Sequence, residues 1–281
     1  MNPFVSKLER RTFRRPHDGR GARALVPDAL IRIAMTPAPS PRRSEDVARM
    51  SKLYGKPAEM TLDVPMREWE FNLLRFSKRD GRYRDATILI PYEEKLVCIV
   101  KHGYPAGIAR PPSGGVVPGE PLDAAAEREA LEETGLRVRI TDYLLRVSCH
   151  FTLGVRIDPS PHALAEASRK GRQDELIFDA LARFANESPA KADEPEYWES
   201  HVFWATPTGG TLEPRDENEI KAVVLLSADE LETTVHTRMR AADIGGFQYR
   251  VLLQEAALDA ARQRGLLPPR RPDAGARTLD L

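Results

Sequence analysis

Short apolar runs alternate with polar turns along the central part of the chain, a pattern that is typical of β-strands. Two such runs predict strands at Asp85–Pro91 and Lys95–Lys101, joined by a polar turn at Tyr92–Glu94. Further runs predict strands at Trp69–Phe76, Arg137–Ile140, Tyr143–Phe151, His201–Ala205 and Ile220–Leu226.

Helices are predicted between and after these strands. Pro is tolerated in the first turn of a helix and Gly commonly ends one, so Pro121 and Gly135 bound a predicted helix that closes at Thr134. A Gly/Pro-rich loop, Pro105–Gly119, precedes it, and further helical segments are predicted around Ala228–Thr233 and Phe247–Arg264. The combination predicts an α/β protein.

The ends and one internal stretch have a different composition. Residues 1–60 are predicted to be a basic, Pro-rich and disordered extension, residues 61–266 a single domain, and residues 267–281 a loose tail. A polar, Pro-punctuated insertion is predicted at about 155–200, with an apolar island at Leu176–Phe184 that fits a helix or a strand.

The net charge of the whole chain is zero, but the charge is unevenly distributed. Residues 1–56 contain thirteen Lys/Arg and five Asp/Glu, so this leader carries +8 and the remainder −8. Three interpretations fit the leader: a tether for nucleic acid or another acidic partner, a solvated tail, or an upstream extension if translation begins at Met35.

Composition excludes several classes of protein. With 41% hydrophobic and 30% charged residues the chain is expected to be globular, and no apolar run approaches the length of a membrane span, so no membrane partner is expected. The only cysteines, Cys98 and Cys149, are too few for a disulfide scaffold and fit a reducing compartment, which predicts a cytoplasmic location.

Three carboxylates on the predicted helix are candidates for chemistry. Glu129, Glu132 and Glu133 stand at positions i, i+3 and i+4, so they project from one face of the helix. Their mutual repulsion is relieved by a divalent cation, and carboxylate oxygens are the ligands that Mg²⁺ and Mn²⁺ prefer. The alternative is a solvated acidic helix end, which this composition by itself would also produce.

The spacing of the residues at positions 114–136 decides between these two interpretations. It resembles the Nudix box, the signature of the Nudix hydrolase superfamily, at every fixed position. These positions are Gly114, Glu120, Arg128, Glu129, Ala130, Glu132, Glu133, Gly135 and Leu136.

The resemblance implies a Nudix fold, in which a mixed β-sheet is sandwiched between helices. It implies hydrolysis of a nucleoside diphosphate linked to a moiety X, giving a nucleoside monophosphate and phospho-X, with Mg²⁺ or Mn²⁺ as cofactor. The implied metal ligands are Glu129, Glu132 and Glu133, with Gly114 contributing a backbone group and Glu120 weaker support. Arg128 is implied to orient one of the carboxylates.

Other residues are weaker candidates. The acidic loop before the last predicted strand offers Glu217 or Glu219 as the general base, although a solvated acidic hairpin is an equal alternative for each. Gly115 and three residues before the box, Lys101, Tyr104 and Arg110, are candidates to meet the phosphate or the base. Trp198 and Trp204 are candidates either to stack on a base or to lie in the core.

The sequence leaves the function open at this level. The first hypothesis is a metal-dependent pyrophosphohydrolase acting on a small nucleotide derivative. The alternatives are a Nudix-like nucleotide sensor without turnover and, if the basic leader binds nucleic acid, an enzyme acting on RNA 5′ ends. A homodimer is common among relatives of this kind, and the identity of X is undetermined.

Overall fold

The computed structural model describes residues 33–34, 44–78, 81–102, 104–154, 194–242 and 244–270. The strands are β1 (Ile33–Ala34), β2 (Ala58–Met66), β3 (Arg84–Leu89), β4 (Pro91–Tyr92), β5 (Lys95–Lys101), β6 (Ser113–Gly115), β7 (Leu136–Leu153), β8 (Glu196–Gly210) and β9 (Ile220–Leu226). The helices are α1 (Ser44–Tyr54), α2 (Glu68–Lys78), α3 (Leu122–Thr134), α4 (Ala228–Glu230), α5 (His236–Ala241) and α6 (Gly245–Gln263), with a π-helical turn, Leu231–Val235, between α4 and α5.

Nine strands form two sheets within these residues. The larger sheet has the order β1-β2-β7-β8-β3-β6, and the smaller one has the order β4-β5-β9. The larger sheet is mixed, because β2 runs parallel to β7 and β3 runs parallel to β8, whereas its other pairs are antiparallel.

Two apolar clusters hold the layers together. One includes Phe71 of α2 and Leu258 of α6, and the other includes Met50 of α1 and Ala126 of α3. Both clusters contain strand residues, so the sheet is buried between helices, as the resemblance implies. The predicted fold class is confirmed. Within the described ranges, no helix combines the length and apolar character that a membrane crossing requires.

The strand predicted at Trp69–Phe76 is wrong, because this stretch lies in helix α2. Its apolar residues fit both the alternating period of a strand and the longer period of a helix. Phe71 and Phe76 are both buried in the helical arrangement. A helical signal was present in the charges, since α2 has acidic residues in its first turn and basic residues in its last. That distribution is favourable to the helix dipole.

The predicted hairpin between the strands at 85–91 and 95–101 is also corrected. β3 lies in the larger sheet between β6 and β8, whereas β5 pairs with β4 and β9 in the smaller one. The turn joins β4 to β5, and Glu93 and Glu94 both have positive φ, the backbone of a tight two-residue hairpin turn. A short apolar run does not specify which sheet a strand joins.

The strands predicted at 137–140 and 143–151 are one long strand, β7. Its pairing with β8 shifts register between Ile140 and Asp142 and again between Tyr143 and Leu145, where the sequence suggested a break. Bulges of this kind bend a strand without ending it.

The predicted domain boundary at residue 60 falls inside β2, so the folded part begins earlier. Helix α1 packs Val47 and Met50 into the second cluster, and Arg49 donates hydrogen bonds of 2.9 and 2.8 Å to Asp123 of α3. The basic charge of the leader concealed this amphipathic helix. The rest of the leader, residues 155–193 of the insertion with its apolar island, and the tail from 271 lie outside the described residues.

A buried ion pair on the larger sheet predicts a pH-dependent stability. Burial by itself would raise the pKa of Glu199, but the approach of His201 Nε2 to 3.6 Å and a 2.6 Å hydrogen bond from Arg146 lower this pKa to about 2. A carboxyl with a depressed pKa in the folded state stabilises the fold above its unfolded pKa, and this contribution is lost as pH falls through the folded pKa.

We therefore expect Glu199→Gln to lower the free energy of unfolding at pH 7, and the difference from the wild type to shrink by roughly 3 kcal/mol between about pH 5 and pH 2. Urea unfolding at several pH values measures this difference. Glu59→Gln, which removes the more exposed partner of the same arginine, is the control and should leave the difference near zero. A deficit for Glu199→Gln that is independent of pH would contradict the assignment.

Candidate functional site

The glycine loop and helix α3 meet at the edge of the larger sheet. β6 pairs with β3, so that Gly114 lies opposite Ala86, and α3 follows after one short turn. The helix starts after Pro121 and ends at Gly135, whose φ of 78° is in the left-handed region that favours glycine. Both boundaries agree with the sequence prediction.

The acidic loop between β8 and β9 docks onto the carboxyl end of α3. The backbone N–H of Glu213 donates to the Thr134 carbonyl at 3.0 Å, and the N–H groups of Arg215 and Asp216 donate to the Glu132 carbonyl at 2.9 and 3.0 Å. These bonds satisfy carbonyls that a helix end otherwise leaves without partners. They also hold the loop that carries Glu217 and Glu219 against the helix.

Arg128 connects the carboxylates of the box. It donates to both oxygens of Glu120 at 2.8 and 2.9 Å, to Glu129 Oε1 at 2.6 Å and to Glu132 Oε2 at 3.0 Å. It also donates to the Gly115 carbonyl at 3.2 Å. The hydrogen bonds to Glu120, and the charge of Glu129 with them, raise the pKa of Arg128, so the guanidinium stays charged and fixes these side chains.

Glu129 is buried against Gly114. Its side chain is 1% exposed, and its Oε2 is a buried oxygen without a hydrogen-bond partner among the described residues. A Cβ atom on Gly114 would overlap the Glu129 carboxylate, so only glycine leaves this space. Burial, and then the charge of Glu133, raise the pKa of Glu129, because each disfavours a further negative charge at this point.

Glu133 lies deeper, with no solvent exposure. It accepts a 2.7 Å hydrogen bond from the Ser113 backbone N–H and a 3.3 Å bond from Arg110, and Lys101 Nζ is 3.7 Å away. Burial raises the pKa of Glu133 against the opposing effect of the two cations. Lys101 also forms a close, buried ion pair with Glu219.

The structure therefore brings most of the predicted site residues together. They fall into two neighbouring groups, which the repulsion between Glu129 and Glu133 couples electrostatically. Arg128 joins Gly115, Glu120, Glu129 and Glu132, with Gly114 packed against Glu129. Glu133 joins Arg110 and, through Lys101, Glu219. Glu132 keeps 35% of its side chain exposed and is the most accessible of the three helix carboxylates.

The structure also places four of the other candidate residues. Arg110 is 1% exposed and donates to Glu133 at 3.3 Å. Glu219 is buried with Lys101 and does not belong to a solvated hairpin, whereas Glu217 is exposed and contributes its backbone carbonyl to a 3.0 Å hydrogen bond with His102. Trp204 is a core residue, at 5% exposure.

Two contacts of the site are not predicted by the sequence. The Ser113 N–H anchors Glu133, and Lys101, a candidate to meet the phosphate or the base, is the partner of two buried carboxylates. An apolar strand that ends in a lysine shortly before the box is the signal that pointed to Lys101. Nothing in the sequence distinguishes the Ser113 backbone.

The donor set fits a divalent cation. In the part of the chain that the structure describes, no three His, Cys, Asp or Glu side chains are gathered as they would be around a bound ion. Even so, the buried Glu129 oxygen without a partner, the glycine cradle beside it and the carboxylates with raised pKa values all favour a positive charge at this point. Carboxylate oxygens are the ligands that Mg²⁺ and Mn²⁺ prefer.

The likenesses to solved structures are distant. A UDP-X diphosphatase is 12% identical over 68% of this chain and 70% of its own, with a TM-score of 0.39. A Nudix hydrolase from Nitrosomonas europaea is 15% identical over 69% and 99%, with a TM-score of 0.37. A pyrophosphohydrolase from Bacillus subtilis is 14% identical over 67% and 85%, also with a TM-score of 0.37. At these scores they carry no argument about this chain's substrate.

The family assignment rests on sequence. No curated protein matches this chain. The profile of the Nudix domain matches residues 82–244, a range that contains the glycine loop, helix α3 and the acidic loop after β8. The chain belongs to the Nudix hydrolase superfamily.

Proposed function

We propose that this protein hydrolyses the pyrophosphate bond of a nucleoside diphosphate derivative, with Mg²⁺ or Mn²⁺ as cofactor. The observation that carries the proposal is the partnerless buried oxygen of Glu129, next to the other carboxylates of α3 and to the glycine cradle of β6. A buried anion of this kind is costly unless a cation compensates it. Family membership supplies the reaction class.

Glu129, Glu132 and Glu133 would hold the cation, with the backbone of Gly114 beside them and Glu120 in support. A divalent cation supplies charge neutralisation for phosphate oxygens and acidifies the water that it coordinates. Arg128 fixes Glu129 and Glu132 through hydrogen bonds of 2.6 and 3.0 Å. A site whose groups are already oriented has less to reorganise when the reaction occurs.

The backbone of β6 and the buried cations position Glu133. Its bond from the Ser113 N–H sets one carboxylate oxygen, and Arg110 and Lys101 lie on the side of the other. We therefore propose a positioning role for Arg110 in place of the substrate contact predicted from sequence. Glu219 remains our candidate for the proton acceptor, since its pair with Lys101 places it beside Glu133, and Glu217 remains a weaker one.

The test is a panel of nucleoside diphosphate derivatives incubated with the full chain. The panel contains nucleoside diphosphate sugars, dinucleoside polyphosphates and nucleoside triphosphates, each with Mg²⁺, with Mn²⁺ and with EDTA. We expect release of the nucleoside monophosphate from at least one substrate, loss of this release with EDTA and its recovery when Mg²⁺ or Mn²⁺ is added in excess.

Binding of nucleotides without any monophosphate release would instead support a sensor without turnover. Release that is equally fast in EDTA would contradict the role of the carboxylates. The predicted cytoplasmic location, the homodimer and the nucleic-acid tether stay predictions.

A further inference from the structure

A pocket lined mainly by aromatic and aliphatic side chains lies beside the acidic network, the name used here for Glu129, Glu132 and Glu133 with their partners Arg128 and Arg110. No role has been assigned to this pocket above. Its cavity volume is about 200 Å³. Its walls come from α2, β7, β8 and α6, and they include Trp69, Phe151, Trp198 and Phe247. A largely apolar and aromatic lining with a few polar groups is typical of small-molecule sites.

The polar groups of the pocket are few. The Asp85 carboxylate of β3 and Arg250 of α6 both line it, and they attract each other electrostatically. Asp85 Oδ1 is a buried oxygen that accepts no hydrogen bond from the described residues. An acceptor left without a donor inside an aromatic pocket is costly, so it points to a ligand that brings an N–H group.

The pocket shares a wall with the acidic network. Arg250 donates to Ser113 Oγ at 3.4 Å, and the backbone N–H of the same serine donates to Glu133 at 2.7 Å. On the other side, the hydroxyl of the pocket residue Tyr104 accepts a 2.9 Å bond from Arg110, which also bonds to Glu133. A single ligand could therefore place one group in the pocket and a second, directly linked group at the acidic network.

Hydrogen bonds and a ring contact hold the walls of the pocket together. The N–H groups of Gly245 and Gly246, where α6 begins, donate to Glu70 of α2 at 3.2 and 2.9 Å, which ties the two helices together. Phe247 meets Tyr104 edge to face with ring centroids 5.3 Å apart. A rigid pocket loses little entropy when a ring enters it.

We propose that this pocket binds the nucleobase of the substrate, with Trp198 as a stacking surface and Asp85 as the acceptor for a base N–H. The proposal deepens the proposed function and rests on it for the diphosphate at the acidic network. Aromatic walls suit the planar face of any base. Each of the four common bases carries an N–H donor at a different place on its edge. The carboxylate therefore favours the base whose donor reaches it, because any other base leaves a buried acceptor unsatisfied.

The test measures binding without turnover. Isothermal titration of the wild type, in Mg²⁺, compares AMP, GMP, CMP and UMP with ribose 5-phosphate, which has no base. We expect at least one monophosphate to bind about tenfold or more tightly than ribose 5-phosphate. Equal affinity for ribose 5-phosphate and all four monophosphates would overturn the proposal.

Variants of the pocket assign this difference to its residues. Trp198→Ala should weaken the best monophosphate about 10- to 100-fold, and Trp198→Phe, which keeps a ring, should restore most of it. Asp85→Asn should change the order of preference among the four bases. Tyr197→Ala is the matched control, since Tyr197 is the next residue on β8, is 51% exposed and does not line the pocket. Thermal unfolding establishes that each variant is folded.

The two proposals fail in different ways. Base-dependent binding that Trp198→Ala removes, in a protein that releases no monophosphate from any substrate, would support the pocket and overturn the enzyme. The opposite result is a protein that hydrolyses its substrate but has the same KM and base preference in Trp198→Ala, Asp85→Asn and the control Tyr197→Ala. That result would support the enzyme and overturn the pocket.

Discussion

Replacing Glu132 with glutamine is expected to lower kcat about 100-fold or more on any substrate that the wild type hydrolyses. Glutamine keeps the size of the side chain and removes its negative charge, which we propose is needed to hold the cation. Glu132 is the informative position because 35% of its side chain is exposed and its partner in the network is Arg128. The substitution should therefore leave the thermal unfolding temperature almost unchanged.

Glu127→Gln is the matched control for this experiment. Glu127 lies on the same helix but is exposed and makes no contact with Arg128, so the same chemical change should leave kcat within about twofold. Glu133 is less suitable, because it is buried and anchored by the Ser113 N–H and by Arg110, so its replacement also disturbs the fold. Full activity of Glu132→Gln would reject the site.

Substituting Gly114 with alanine should have an effect as large, for a steric reason. The new Cβ would overlap the Glu129 carboxylate, so this buried side chain would have to leave its present position. We expect loss of most activity, about 100-fold in kcat/KM, because Glu129 is displaced from Arg128 and from the proposed cation. Steady-state kinetics on the best substrate of the panel measures it.

Gly115 provides the control for this substitution. It is the next residue of β6, but a Cβ there would meet Arg82 at an ordinary 3.6 Å. Gly115→Ala should therefore retain activity within a few-fold, although both variants remove a glycine from the same strand. Equal losses in the two variants would show that strand flexibility, not the space beside Glu129, determines the effect.

Helix α3 was predictable because its signals are local. Pro121 and Gly135 mark its ends, and the spacing of Glu129, Glu132 and Glu133 fixes which side chains share a face. The Nudix signature added the loop glycine. None of these inferences needed knowledge of residues far away in the sequence.

The surroundings of the helix depend on distant residues and could not be predicted in the same way. Glu219 is brought to Glu133 by the docking of its loop on α3 and by Lys101, which is 118 residues away from it. The aromatic pocket combines Trp69 of α2 with Trp198 of β8, which are far apart in the sequence. Pairing across such separations is set by the packing of whole elements, which no local pattern encodes.

The misassigned helix α2 shows the same limit at a smaller scale. Its apolar residues satisfy both an alternating and a helical period, and burial of Phe71 against the sheet decides between them. Charge at the two ends of the segment was the local information that favoured a helix.

Manganese binding to the metal-free protein tests the central claim most directly. Electron paramagnetic resonance counts free Mn²⁺ during a titration and needs no knowledge of the substrate. We predict that the wild type and Glu127→Gln bind Mn²⁺, and that a Glu129→Gln, Glu132→Gln double variant binds it at least tenfold more weakly. Equal Mn²⁺ affinity in the wild type and the double variant would contradict the assignment of the cation to these carboxylates.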